Sequence, residues 1–573
     1  MPRGPFDPPL FFLVAVVALF WAALWLRLMG TAWDGWAGLH PDERHMAFVT
    51  MDALRGLDRP EVWQRGLGWL WFAPESPLNP RAEGRLYVYG ELPVLVVTFL
   101  ARLFQLNDWG STLLIGRSVS AALDASIVLA VFMLAQRLLR RPGPALAAAA
   151  LYALAPIPLQ LANFYTVDAW ASALAVWALV PMVALAEGRG RAAPVAGLLA
   201  GLAVACKIST LGLLAPALVA VLLYGRGAGA GRAALAAAAG VLAGLVALRI
   251  ASPFSFAGPG VWGLAISPMA LEDFHEIGAY FRDTGPPPNW FWVAGYPASA
   301  LLRDLALFGS GPVLALLALP AVGLGLRLRP VVWVLLAALV VHLVAGVWMW
   351  QWVLRYFAPA VPVVAVLSGV ALARLPKGAV AVLLALALWW GAGAVRLHLG
   401  PHPRVVATEW MRGLPPGTAV AVETDWDESL PVTSYAPVSM PADPPPGPFR
   451  TVPLRLTDAE DAGTARRLAE ALDQSDYVTI SSGRQSEVMP RLPERFPVVT
   501  RYYAALADGR LCFTRVFVAE GGYPLPFWPF DDRFAQEPWR VYDHPVVQIW
   551  RKEPCFDRVV AEGILAGRDG PGG

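Results

Sequence analysis

The sequence predicts a polytopic α-helical membrane protein ending in a polar α/β region, and three observations carry that expectation. The first is composition. Of 573 residues, 57% are hydrophobic and 15% charged, against roughly 25% charged in soluble proteins. The second is clustering: the apolar residues fall in runs of about 20, the length that spans a bilayer core. The third is a change of character near residue 400, where the chain turns polar and Pro-rich. The net charge of +2 gives no reason to expect a nucleic-acid partner. Many of the 24 Trp suit belts at a membrane interface.

Taken in order, the spans are expected at 9–29, 112–138, 143–161, 168–187, 192–206, 209–225, 231–250, 303–326, 330–350, 355–373 and 378–396, about eleven in all. The first lacks a small-residue cleavage site and reads as a retained span, not a signal peptide. Under this count one side collects Arg3, Arg137, Arg140, Arg141, Arg189, Arg191, Arg226, Arg232, Arg327, Arg329, Arg374 and Lys377. Short basic loops mark the cytoplasmic side, so the N-terminus is expected in the cytoplasm and the protein in the cytoplasmic membrane. The opposite side then carries an outer loop at 30–111, a second at 251–302, and everything after 400.

Two stretches need separate treatment. Gly90–Phe104 is apolar but short, and a crossing there would scramble the later basic loops. It is read as a helix lying in or dipping into the interface. Splitting 192–225 into two spans puts Lys207 at an outward turn instead of burying an unpaired ammonium. In the tail, Thr457–Gln474 has helical periodicity, while Thr418–Glu423, Tyr477–Ser481 and Leu511–Val518 read as strands. The predicted organisation is a transmembrane domain over 1–400 and an extracytoplasmic α/β domain over 401–573. Cys206 lies in an apolar run, and Cys512 and Cys555 can pair if the tail faces an oxidising space.

The chemistry gathers on the predicted outer face. His40-Pro41-Asp42-Glu43-Arg44-His45 follows the first span by about a dozen residues, and ionisable groups held at a membrane are costly and tend to be functional. Asp168 lies at the outward end of the third span, and Lys207, Arg249 and Arg355 join from later turns. Carboxylates with cations at one face suit a defined task. The cations hold a phosphate leaving group, and a carboxylate takes the proton of an attacking hydroxyl. Arg suits phosphate because its planar fork bonds two oxygens.

At these residues the chain resembles the GT-C glycosyltransferases that use polyprenyl-phosphate sugars, close to the protein O-mannosyltransferases and the aminoarabinose transferases. Four features over about residues 1–400 carry the resemblance: Asp42-Glu43; Gln160…Asn163-Phe164-Tyr165-Thr166-Val167-Asp168; Gly201-Leu202-Ala203…Lys207; and Arg355-Tyr356-Phe357-Ala358-Pro359. Trp426-Asp427 and Tyr542-Asp543-His544-Pro545 in the tail look like a bacterial subgroup. The chain departs from the family pattern at Asn163, where His is common.

The resemblance implies a GT-C-like membrane fold and transfer of a sugar from a polyprenyl-phosphate donor to a hydroxyl of a lipid, glycan or protein acceptor, with inversion. It implies Asp42 as base, Glu43 orienting it or binding acceptor, and Asp168 supporting the first loop or binding sugar or metal. Lys207 and Arg355 would hold the donor phosphate. His40, His45, Arg81, Arg85, Tyr165 and Tyr356 are further candidates for substrate contact or support. No cofactor is assigned, and a divalent metal is left open.

Plainer roles stand beside these. Asp42 and Glu43 suit the first turn of a helix after Pro41, and Asp168 suits an N-cap. His40 and His45 read as packing residues, Lys207 as a snorkelling side chain and Arg355 as an interface anchor after Trp348, Trp350 and Trp352. Arg117 and Asp124 read as a buried polar pair, and Asp425, Asp427 and Glu428 as a solvated turn. A transporter or lipid flippase is the alternative from another class; the absence of inverted repeats in the sequence argues against it.

Overall fold

The computed structural model describes residues 9–258, 260–280, 282, 285–325, 329, 331–423, 430 and 448–568. Arg3, Arg327, the turn at Asp425, Asp427 and Glu428, the Trp426-Asp427 motif and most of the Pro-rich stretch at 441–447 lie outside the described residues.

A bundle of apolar helices forms the larger part. Among the described residues six helices are long and apolar enough to cross a membrane: Leu10–Leu28, Trp109–Leu139, Val167–Ala186, Ile208–Ala228, Ala230–Ala251 and Lys377–Leu397. Ala298–Gly309 and Pro312–Ala321 make a seventh if a pair bent by 112° is one span. Helices also stand at the other expected places, but Pro142–Ala153, Ala193–Val204, Val332–Trp348 and Ala360–Leu372 are shorter. Helices therefore stand at the expected positions, and among the described residues six of them, or seven with the bent pair, have the length and composition of a crossing. Leu92–Phe104 is 13 residues, about 20 Å of helix, too short for a bilayer core of about 30 Å. Val94, Val97 and Ala101 are buried while Phe99, Leu103 and Phe104 are exposed.

Between Ala193–Val204 and Leu214–Ala228 the chain breaks, and Lys207 sits at that break, ahead of a 3-10 turn over Ile208–Leu213. The first loop is not irregular: Pro41–Leu57 is a helix opened by Pro41, with Asp42 and Glu43 in its first turn. It packs on Leu92–Phe104 and on Trp109–Leu139. The expected Arg117–Asp124 pair does not form. Arg117 turns to Asp34 and Glu43, and Asp124 pairs with Arg27 at 2.6 Å and accepts from the Tyr152 hydroxyl at 2.8 Å. The partners come from other helices and, for Asp34, from the turn after the first helix, so packing between elements overrides spacing along one.

The C-terminal region holds a five-stranded sheet among the described residues, in the order Arg450–Pro453, Ala419–Val422, Tyr477–Ile480, Val547–Lys552, Phe513–Ala519. The first two pairings are parallel and the last two antiparallel. The helix expected from 457 begins at Thr464, because the Asp461 side chain accepts from the Gly463 N–H and the Thr464 hydroxyl accepts from the Asp461 N–H, which holds the preceding residues in a turn. Cys512 and Cys555 form a disulfide. The region is tied to the bundle through Gln160, whose amide donates to the Trp539 carbonyl at 3.0 Å and to Asp543 at 2.7 Å.

Candidate active site

Successive helix residues lie about 100° apart around the axis, so Asp42 and Glu43 face different surroundings. Glu43 points into the bundle and is fully buried. It accepts two bonds from Arg117, at 2.8 and 2.7 Å, and one from the Tyr165 backbone N–H at 2.8 Å. Arg117 also reaches both Asp34 oxygens, at 2.9 and 3.0 Å, and the Thr31 carbonyl at 2.7 Å. The Tyr165 hydroxyl meets Thr50 at 3.0 Å. This sealed network fixes the start of the helix.

Asp42 faces away from this network and keeps about a fifth of its side chain accessible. Its Oδ2 accepts from Arg355 Nη1 at 2.7 Å, and the Tyr89 side chain also bonds it. Burial pushes the Asp42 carboxyl upward, but the Arg355 guanidinium, helped by His40, Tyr89 and Lys207, holds it down at about 2. Beside this pair lies a second: Lys207 Nζ sits 2.6 Å from Asp168 Oδ1. Asp168 is in the first turn of Val167–Ala186, whose N-cap is Thr166. The two cations share one aromatic ring, Lys207 at 4.9 Å and Arg355 at 5.9 Å from the centre of Tyr356. Such placements over a ring favour cations.

Backbone contacts set this geometry. The Gly90 N–H donates to the Cys206 carbonyl at 3.0 Å, and Leu92 N–H to Ala205 at 3.2 Å. A Cβ at Gly90 would lie 2.1 Å from the Ala205 oxygen, so glycine alone lets the strands of chain bearing Tyr89 and Lys207 meet. Arg355 is held from the tail, where the Gln536 side chain accepts from the Leu354 N–H at 3.0 Å.

The remaining candidates divide. His40 is buried between Phe164, at 4.6 Å, and Tyr542, at 4.2 Å between ring centres. Burial pushes its imidazole down to about 4, so it is neutral near pH 7. His45 packs against Tyr87 and Tyr89, and burial, helped by Arg85, lowers it as well. Arg81 is a buried tie between loops, bonding Glu91 at 2.6 Å and Asp273 at 2.5 Å. Arg85 pairs with Asp52. In these bonds Arg81 and Arg85 serve the loops around the cleft. Among the described residues no three His, Cys, Asp or Glu side chains converge to hold a metal.

Tyr89, Tyr542, Arg484 and Gln536 surround the site without having been expected there. Arg484 donates to Glu537 at 2.8 Å and to the Tyr542 hydroxyl at 3.3 Å. Only the Tyr542-Asp543-His544-Pro545 motif gave a signal. In it, His544 bridges Asp532, at 2.7 Å, and Asp543. Burial disfavours its charge, but the two carboxylates raise it to about 10, so this tail segment is clamped by a charged imidazole.

Residues 92–256 match the family model described as dolichyl-phosphate-mannose-protein mannosyltransferase. That segment contains Asp168 and Lys207 and excludes Asp42 and Arg355. No curated protein matches the chain. Among solved structures, the oligosaccharyltransferase AglB from Archaeoglobus fulgidus, in complex with an inhibitory peptide and a dolichol-phosphate, is 16% identical with a TM-score of 0.52, over 91% of this chain and 75% of that one. The same organism's oligosaccharyltransferase tethered to an acceptor peptide is 14% identical with a TM-score of 0.53, over 95% and 88%. The chain is thus similar, in segment 92–256 and in its overall fold, to the GT-C glycosyltransferases, the resemblance expected from its motifs.

Proposed function

We propose that the protein transfers a sugar from a polyprenyl-phosphate donor to an acceptor hydroxyl at the outer face of the cytoplasmic membrane. The observation that supports this most is the meeting of two acid–cation pairs, Asp42–Arg355 and Asp168–Lys207, around Tyr356. Such a cleft is charge-balanced while empty and changes when a phosphate arrives. The anion draws Arg355 and Lys207 toward itself, and Asp42 loses the partner that keeps its proton affinity low.

The acceptor oxygen then attacks the anomeric carbon from the face opposite the phosphate, and Asp42 takes its proton. The bond from anomeric carbon to phosphate oxygen breaks, the electron pair leaves with the polyprenyl phosphate, and the two cations hold that charge. Inversion follows from the single displacement. Asp168 orients Lys207, and Glu43 fixes the helix that presents Asp42. His40, held neutral, shapes the cleft wall. The disulfide supports an outward C-terminal region, since such bonds persist in oxidising spaces. In this reading 1–400 is the catalytic membrane domain and 401–573 an extracytoplasmic domain that braces it.

Purified Asp42→Asn protein, supplied with a lipid-linked sugar and a hydroxyl acceptor, is expected to lose about 10²–10⁴-fold in turnover, the usual worth of a general base. Undiminished transfer would remove Asp42 as the base. Movement of lipid across proteoliposomes without any covalent product would favour the flippase reading.

A further inference from the structure

We infer that the hairpin at 523–530 is a membrane-dipping finger, whose partner is the boundary between lipid headgroups and acyl chains alongside the helix Lys377–Leu397. The reading is independent of the proposed reaction.

The hairpin pairs Tyr523–Leu525 with Trp528–Phe530 and lies on the helix, not on the sheet. The Tyr523 hydroxyl donates to the Trp390 carbonyl at 2.9 Å, and Trp389 Nε1 donates to the Pro526 carbonyl at 3.1 Å. A Cβ at Gly393 would lie 2.4 Å from the Tyr523 ring, so that glycine opens the seat. Trp389 stands eight residues before the helix end at Leu397, about 12 Å along the axis at 1.5 Å per residue. The helix is a candidate membrane span of 21 residues, about 31 Å against a bilayer core of about 30 Å. The finger therefore reaches down past the helix end, to a depth where the helix is lipid-facing. Val382, Leu386 and Leu388 on that helix are exposed.

The tip is built for that setting. Phe527 is fully exposed and Trp528 is 70% exposed, so neither ring gains from packing inside the protein. Phe527 also holds a left-handed backbone, φ 68°, where a residue with a large side chain costs more than glycine. A strained, unpacked aromatic at a turn needs an external partner. Hydrocarbon does not tolerate unpaired backbone groups, and the hairpin reduces them: Pro524, Pro526 and Pro529 carry no N–H, and Trp389 takes up the Pro526 carbonyl. The charges return immediately after, at Asp531 and Arg533, both exposed. An apolar aromatic tip with a charged base fits an interface.

The experiment places a thiol at the tip. Phe527→Cys in the full chain, labelled with an environment-sensitive fluorophore in proteoliposomes, is compared with Arg466→Cys on the helix Thr464–Asp473. The buried Cys206 and the disulfide leave the new thiol as the reactive one. The 527 probe should be quenched several-fold more by lipids carrying a shallow nitroxide than by aqueous iodide, with the order reversed at 466. Trp528→Cys gives the same readout from a second position. Iodide quenching at 527 and 528 as strong as at 466 overturns the proposal.

Discussion

Asp42 and Glu43 are neighbours in sequence and opposites in structure. Glu43 is sealed, with both oxygens taken by Arg117 and a backbone N–H. Asp42 keeps 19% of its side chain accessible and meets a single guanidinium that is itself 20% accessible. A buried ion network costs desolvation and repays it only while complete. A pair that keeps about a fifth of each side chain accessible is less sealed and can open for a substrate. The difference separates two uses of one residue type, holding a helix and changing charge during a reaction.

The largest expected effect tests the sealed side. Glu43→Gln leaves Arg117 short of one anion in a buried site and is expected to destabilise the fold by about 3–5 kcal/mol, read as a lower thermal midpoint in detergent. Asp42→Asn should move that midpoint less than Glu43→Gln, since the Asp42–Arg355 pair keeps about a fifth of each side chain accessible whereas Glu43 and Arg117 keep none, while turnover collapses. If both variants lose stability equally, the division between the two carboxylates is wrong.

A middle-sized effect sharpens the open side. Arg355 keeps the Asp42 carboxyl at about 2, so removing the cation must raise that value. Arg355→Gln is therefore expected to shift the acid limb of kcat/KM toward higher pH, because that limb reports the free enzyme. It should also raise KM for the donor about tenfold or more, whereas Arg355→Lys keeps the charge and restores part of the binding but not the fork. An unmoved acid limb in Arg355→Gln would separate Arg355 from Asp42.

Much of this was readable in the chain. Apolar runs placed the helices, the break at Lys207 followed from the cost of a buried ammonium, and the motifs named Asp42, Asp168, Lys207 and Arg355 before any geometry. What failed to show were choices of partner. Arg117 lies 83 residues from Asp34 and 74 from Glu43, and periodicity along one helix cannot announce that pairing. The strand Val547–Lys552 buries Val547 and Ile549 on one face and Trp550 on the other before ending in Arg551 and Lys552, so both faces carry apolar residues and period-two alternation is weak. Gln536 and Tyr542 reach the site through long-range contacts that dock the tail, among them Gln160 to Asp543 and the Gln536 N–H to Asp304, and periodicity does not encode these. Short helices hid the crossing number, since a 112° bend at Gly309–Pro312 leaves hydropathy unchanged.

The smallest expected effect lies at the rim and marks where the comparison ends. Arg85 pairs with Asp52, with side chains 29% and 41% accessible, a more exposed contact than either Asp42–Arg355 or Asp168–Lys207. Arg85→Gln should cost no more than about 1 kcal/mol and leave donor KM and turnover unchanged. Its one distinct consequence is on His45, which burial and the Arg85 charge together hold below its usual value. Without that charge the imidazole should titrate at higher pH, an upward shift visible by NMR on labelled histidine. A large loss of turnover in Arg85→Gln would instead carry the working site outward from Asp42 to the first-loop arginines, where the accessible pair would have to be counted with the substrate-binding groups.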